Sequence, residues 1–210
     1  HLNPPLTISF AAVIDGEYVT DFTDIEDLVV TSDAVTSIIE VDGKGKLQIS
    51  WAFSDKSTLL IEIKSITLQE PVVAVINFIS ESDDITANSE ALCIINPEWT
   101  IAAVSSTGNI DQTNSCIKVV LDSEANSACI AICYDSNLLS AVQNAKSALS
   151  LDFEEVFQQR LKFFNTLPAY GCKYRTFNKC ASVMKVNCLT PQGNIQFHWT
   201  TPDRWPHKNM

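Results

Sequence analysis

The last thirteen residues, HWTTPDRWPHKNM from His198 to Met210, hold the densest set of groups able to do chemistry. They contain two of the chain's three His, two of its four Trp, one Asp and one Arg. Asp203, Arg204, Trp205 and His207 can stack on sugar faces or hydrogen-bond hydroxyls, which suits a carbohydrate pocket. Pro202 and Pro206 flank three of them, so the backbone should be extended and stiff, with helix disfavoured at Thr201 and Trp205. The plainer alternative makes Trp199 and Trp205 core anchors and leaves Asp203 to pair with Arg204 or cap a turn.

Other chemistries lack their spacing. His198 and His207 are nine apart with no H-E-x-x-H, so no metal site is expected. The cysteine spacings 129 to 133, 172 to 180 and 180 to 188 match no paired C-x-x-C zinc set. No G-x-S-x-G elbow, G-x-G-x-x-G turn or phosphate-binding loop is present, and no cofactor is expected. The acidic clusters Asp24 to Asp27 and Asp83-Asp84 are expected in solvated turns, without the alternating Asp/Asn and Gly of a calcium loop. Seven cysteines, an odd number, are expected as reduced, buried thiols, which favours the cytoplasm.

Charge narrows the partners. Acidic residues outnumber basic ones 25 to 14, a formal charge of -11, and a field of that sign repels nucleic acid. No run reaches the roughly 18 apolar residues of a membrane span, so no membrane partner is expected. The chain starts at His1 rather than Met and stops at Met210 directly after the motif, as expected for part of a longer protein.

The elements that must position the motif fall into two groups. Residues 1–150 carry 21 acidic and 6 basic side chains, whereas residues 151–210 carry 4 and 8. The first stretch holds ten runs rich in Val, Ile and aromatics, from Leu6 to Ile14 through Ala128 to Tyr134. Asp15-Gly16, Asp42 to Gly45 and Ser123 to Asn126 read as hairpin links, hence antiparallel pairing. A mainly β fold with α follows: an antiparallel sandwich of two sheets, then helices. The first helix spans Ser136 to Leu149, with Ser136 as its cap and Leu139, Val142 and Ala145 on one face. The second opens at Ser150 with Asp152, Glu154 and Glu155 in its first turn and stops before Pro168 and Gly171. The third covers Cys172 to Leu189 and ends at Pro191-Gln192-Gly193.

The run from Tyr174 to Met210, YRTFNKCASVMKVNCLTPQGNIQFHWTTPDRWPHKNM, resembles the entry to the catalytic domain of glycoside hydrolase family 63 and related six-hairpin glycosidases. Thr201, Pro202, Asp203, Arg204, Pro206, His207 and Met210 fit that family's T-P-D-R-x-P-H-x-x-M pattern. The resemblance is strong over about the last sixth of the chain, and the sandwich matches by architecture. It implies residues 1–135 as a β-sandwich domain, 136–170 as a helical linker and 171–210 as the start of an α/α barrel. It further implies hydrolysis of α-linked glucosides, mannosides or related oligosaccharides with inversion. The family's catalytic carboxylates and sugar-contacting W-L-W-D segment would then lie beyond Met210, leaving no catalytic residue in this chain. Asp203, Arg204, Trp205 and His207 would contact substrate or brace the first barrel hairpin. The alternative is a non-catalytic carbohydrate-binding or structural sandwich.

Overall fold

The computed structural model describes residues 7–14, 16–20, 25–31, 33–41, 43–68, 71–79, 84–87, 90–107, 109–111, 115–121 and 127–166. It also describes 176, 179–181, 188–189 and 199–200. In chain order the strands begin β1 (Thr7–Ile14), β2 (Glu17–Val19), β3 (Ile25–Val30), β4 (Ala34–Val41), β5 (Gly45–Phe53), β6 (Thr58–Ser65) and β7 (Val72–Ile79). They continue β8 (Asp84–Ala87), β9 (Leu92–Ile95), β10 (Thr100–Ser105), β11 (Asn109–Asp111), β12 (Cys116–Leu121) and β13 (Ser127–Asp135). Helices α1 (Leu138–Ala148) and α2 (Phe153–Asn165) follow, then the short strands β14 (Cys188–Leu189) and β15 (Trp199–Thr200).

Two antiparallel sheets form the sandwich, as the ten apolar runs predict. One has the order β11-β12-β7-β1-β2 and the other β3-β4-β5-β6-β13-β10-β9-β8. The Asp15-Gly16 link is a two-residue hairpin, with Ile14 opposite Glu17 and Gly16 at φ +87°. The link at Ser123 to Asn126 is not a hairpin, because β12 belongs to the smaller sheet and β13 to the larger. The acidic clusters also differ from expectation. Glu26 and Asp27 lie within β3, and Asp84 opens β8, each at an edge of the larger sheet. Edge strands tolerate charge and are protected by it from pairing with other chains.

The central strands of the larger sheet are buried on both faces, which is why they read as continuous apolar runs. On β13, Ala128, Ile130 and Ile132 join Leu47, Ile63, Ala74, Ile76, Ile117 and Leu121 in the core between the sheets. Its alternate residues Ala131 and Cys133 face the helices. There α1 lies across β10 and β13, and α2 lies over β5. Small residues make that approach possible: Ala102 and Ala131 of β10 and β13 share one buried cluster with Ala141, Ala145 and Ala148 of α1. Phe153, Val156 and Phe157 of α2 complete the layer.

Helix α1 departs from its expected cap and face. Asn137, not Ser136, is the cap: its Oδ1 accepts from the Ser140 N–H at 3.1 Å. Leu139 is 79% exposed, because the helix turns its alanines to the sheet. Asp152 precedes α2 rather than joining its first turn, accepting from the Glu155 N–H at 3.0 Å. The third helix is shorter than its apolar spacing predicts. Thr176 and Lys179 to Ala181 are helical, but Cys188 and Leu189 are paired with Thr200 and Trp199. β-Bonding to a partner outside the helix outweighs a periodicity that three- and four-residue spacing alone would extend.

Candidate functional site

Asp203, Arg204, Trp205 and His207 lie outside the described residues. What the structure does place is the approach to them. β15 ends at Thr200, two residues before Pro202, and is held antiparallel to β14 with Leu189 opposite Trp199.

Within the described residues, the carboxylates with shifted pKa are tied into the fold. Asp55 sits in the β5–β6 turn, where burial alone would raise its pKa. The Ser57 N–H and hydroxyl and the Thr58 N–H donate to it at 2.6, 3.0 and 2.8 Å and bring the net shift below its ordinary value. Glu62 is half-buried on the helix-facing side of β6, opposite Ser50 and Cys129. Burial pushes its pKa up, Lys64 opposes that, and Glu154 and Asp152 add to it. Glu90 is held low by a hydrogen bond from Lys146, 2.6 Å away on α1. Asp55 and Glu90 are engaged by hydrogen-bond donors, whereas Glu62 is raised by burial and by the like charges of Glu154 and Asp152.

Burial disfavours the thiolate at three of the described cysteines. Burial raises Cys93 and Cys116, and it pushes Cys129 up to about 12, with Glu62 adding to the rise. Cys93, Cys116, Cys129, Cys133 and Cys180 are free; Cys93, Cys116 and Cys133 are buried as expected, Cys129 is half-buried, and Cys180 departs from the expectation in being exposed. Among the described residues, no three His, Cys, Asp or Glu side chains converge on a metal position.

A groove of about 640 Å³ runs along α1 beside β9. Leu138, Leu139, Val142 and Cys93 give it an apolar floor, with the Glu90–Lys146 ion pair at its rim. Its chemistry is that of a contact surface, since its one carboxylate is engaged by its one ammonium.

No protein-family model matches the chain, and no curated protein matches its sequence. Its fold is that of a solved protein. The chain is similar to a bacterial glucoamylase determined in complex with acarbose, with a TM-score of 0.54 and 14% identity. The similarity covers 86% of this chain and 35% of the glucoamylase. The chain thus spans about a third of that protein's length. At such identity the likeness shows a shared fold, a sandwich followed by helices.

Proposed function

We propose that this chain is the N-terminal part of a glycoside hydrolase. The observation that carries the reading is the two-sheet sandwich with helices on its larger sheet, shared with a glucoamylase over 86% of the chain. In this reading residues 1–135 are a β-sandwich domain, 136–170 a helical linker and 171–210 the start of an α/α-barrel catalytic domain. The Thr201 to Met210 pattern supports the finer assignment to the relatives of family 63. The substrates are α-linked glucosides, mannosides or related oligosaccharides, and the glucoamylase's complex with the inhibitor acarbose supports a carbohydrate partner.

Inversion needs a carboxylic acid to protonate the leaving oxygen and a carboxylate to activate water, about 6.5–9.5 Å apart. Among the described carboxylates, Asp55 is held in a turn and Glu90 in an ion pair. The resemblance to family 63 puts the catalytic pair in the barrel of a longer protein, and in this reading the chain alone is inactive. Asp203, Arg204, Trp205 and His207 brace the first barrel hairpin or line the pocket mouth.

The test compares two proteins. The 210-residue chain should release nothing from aryl α-glucosides or α-linked disaccharides. The natural protein should be several times heavier than 23.2 kDa and release the inverted anomer, followed by proton NMR. Turnover by the short chain, or a natural product near 23.2 kDa, would sink the reading.

A further inference from the structure

The inner face of the larger sheet is closed at one end and open at the other. Leu47, Ile63 and Ile130 are fully buried, whereas Trp51, Phe53, Leu59 and Ile101 are half-buried and Tyr134 is 53% exposed. The register brings these together, with Phe53 opposite Leu59, Leu59 opposite Ile132, and Ile101 opposite Tyr134. An aromatic strip therefore emerges from the sandwich core at this end.

Two turns frame the strip. The Tyr134 N–H donates to the Ser57 carbonyl at 2.9 Å, tying the end of β13 to the β5–β6 turn that carries Asp55. The Asn96 N–H donates to the Trp99 carbonyl at 2.9 Å, and Asn96 Oδ1 accepts from the Glu98 N–H at 3.0 Å. Trp99 is rooted against the core, and the Tyr134 ring stacks on it, with centroids 6.2 Å apart and planes at 27°.

We propose that the Trp99–Tyr134 pair, framed by Asp55, Ser57 and Glu98, is a binding surface for a neutral oligosaccharide. A pyranose presents an apolar C–H face ringed by hydroxyls. The pair supplies a flat apolar face; Asp55 Oδ1 already accepts from Ser57 and Thr58, so the acceptors at the margin are Asp55 Oδ2, the Ser57 hydroxyl oxygen and the Glu98 carboxylate. Because Tyr134 already rests on a half-buried Trp, little side-chain freedom is left to lose on binding. The two rings are close to parallel and form one wall, whereas an aromatic cage for an ammonium ion needs several. Anionic glycans are disfavoured by the charge of residues 1–150, 21 acidic against 6 basic. A protein face laid over this end would strip water from Asp55, Lys56 and Glu98, all exposed. The site requires no catalytic carboxylate and goes beyond the hydrolase reading, so it can fail or stand separately from it.

The experiment titrates the 210-residue chain with maltoheptaose, laminarihexaose and xylohexaose, followed by tryptophan fluorescence and calorimetry. Saturable binding of at least one is expected. Tyr134→Ala should weaken it about tenfold, whereas Tyr134→Phe, which keeps the ring, should bind like the native chain. Both variants should melt like the native chain, because the ring is exposed. If Tyr134→Ala melts early, Glu98→Ala in the exposed turn decides, and it should weaken binding. No saturable binding of any of the three glycans would overturn the proposal, as would binding that survives Tyr134→Ala or Glu98→Ala in a folded chain. Concentration-dependent dimerisation that Tyr134→Ala abolishes, without glycan binding, would assign this end to a contact between copies and also overturn it.

Discussion

The carbonyl oxygen of Thr67 lies 2.1 Å from where a β-carbon on residue 45 would stand, so only glycine fits there. Gly45 opens β5 at φ +120°, and the Ile66 N–H donates to the neighbouring Lys46 carbonyl at 3.0 Å. The chain leaving β6 is thus laid directly against the start of β5. Gly45→Ala adds a steric clash to a disfavoured backbone and should cost on the order of 3 kcal/mol. Urea unfolding would measure it, and a loss below about 1 kcal/mol would mean that the Thr67 backbone moves aside.

Arg160 joins α2 to the sheet by donating through Nε to the Phe53 carbonyl and through a terminal nitrogen to the Ser54 carbonyl. Charged donors to backbone acceptors at a partly buried site are worth about 1–3 kcal/mol together. Arg160→Met, which keeps the aliphatic stem, should destabilise by that amount. Arg160→Lys should recover less than half, since one ammonium cannot reproduce the planar two-point contact. Full recovery by lysine would show that charge, rather than geometry, fastens the helix.

Glu62 makes the helix layer sensitive to acid in an unusual direction. Its folded pKa is raised above the ordinary 4.5, chiefly by burial, so the folded chain holds the proton more tightly than the unfolded chain. Its contribution to stability is present below 4.5 and lost as pH rises through the folded value. Glu62→Gln should therefore melt above the native chain at neutral pH, and the difference should vanish in acid. Equal melting temperatures across the whole range would remove Glu62 as a source of pH dependence.

Ala145 is completely buried where α1 crosses the larger sheet. A leucine there must push the helix off Ala102 and Ala131, at a cost of about 1–3 kcal/mol. Leu139→Ser on the exposed side should leave stability within about 0.5 kcal/mol. Thermal unfolding of both variants checks the facing of the helix, and a reversed order would mean that α1 is rotated.

The β-branched and aromatic runs marked the strands of the sandwich, and the turn chemistry between them marked their antiparallel pairing. β7 matches its run end to end, from Val72 to Ile79. Asp15-Gly16 determined its hairpin, since a two-residue turn needs a positive φ that glycine supplies. The spacing of the cysteines matched no paired set, and the five described ones, Cys93, Cys116, Cys129, Cys133 and Cys180, are free.

Tertiary structure decided what local pattern could not. Of the expected face Leu139, Val142 and Ala145, the last two pack on the sheet with Ala141 and Ala148, whereas Leu139 points away, because the sheet beneath offers alanines that favour close approach by small residues. The link from β12 to β13 crosses between sheets because each strand already has two hydrogen-bonded neighbours in its own sheet. Tyr134 keeps the inward parity of β13, and its exposure depends on where the opposing sheet stops covering it. Side-chain alternation is written in the chain, but the extent of a facing layer arises only when distant strands meet.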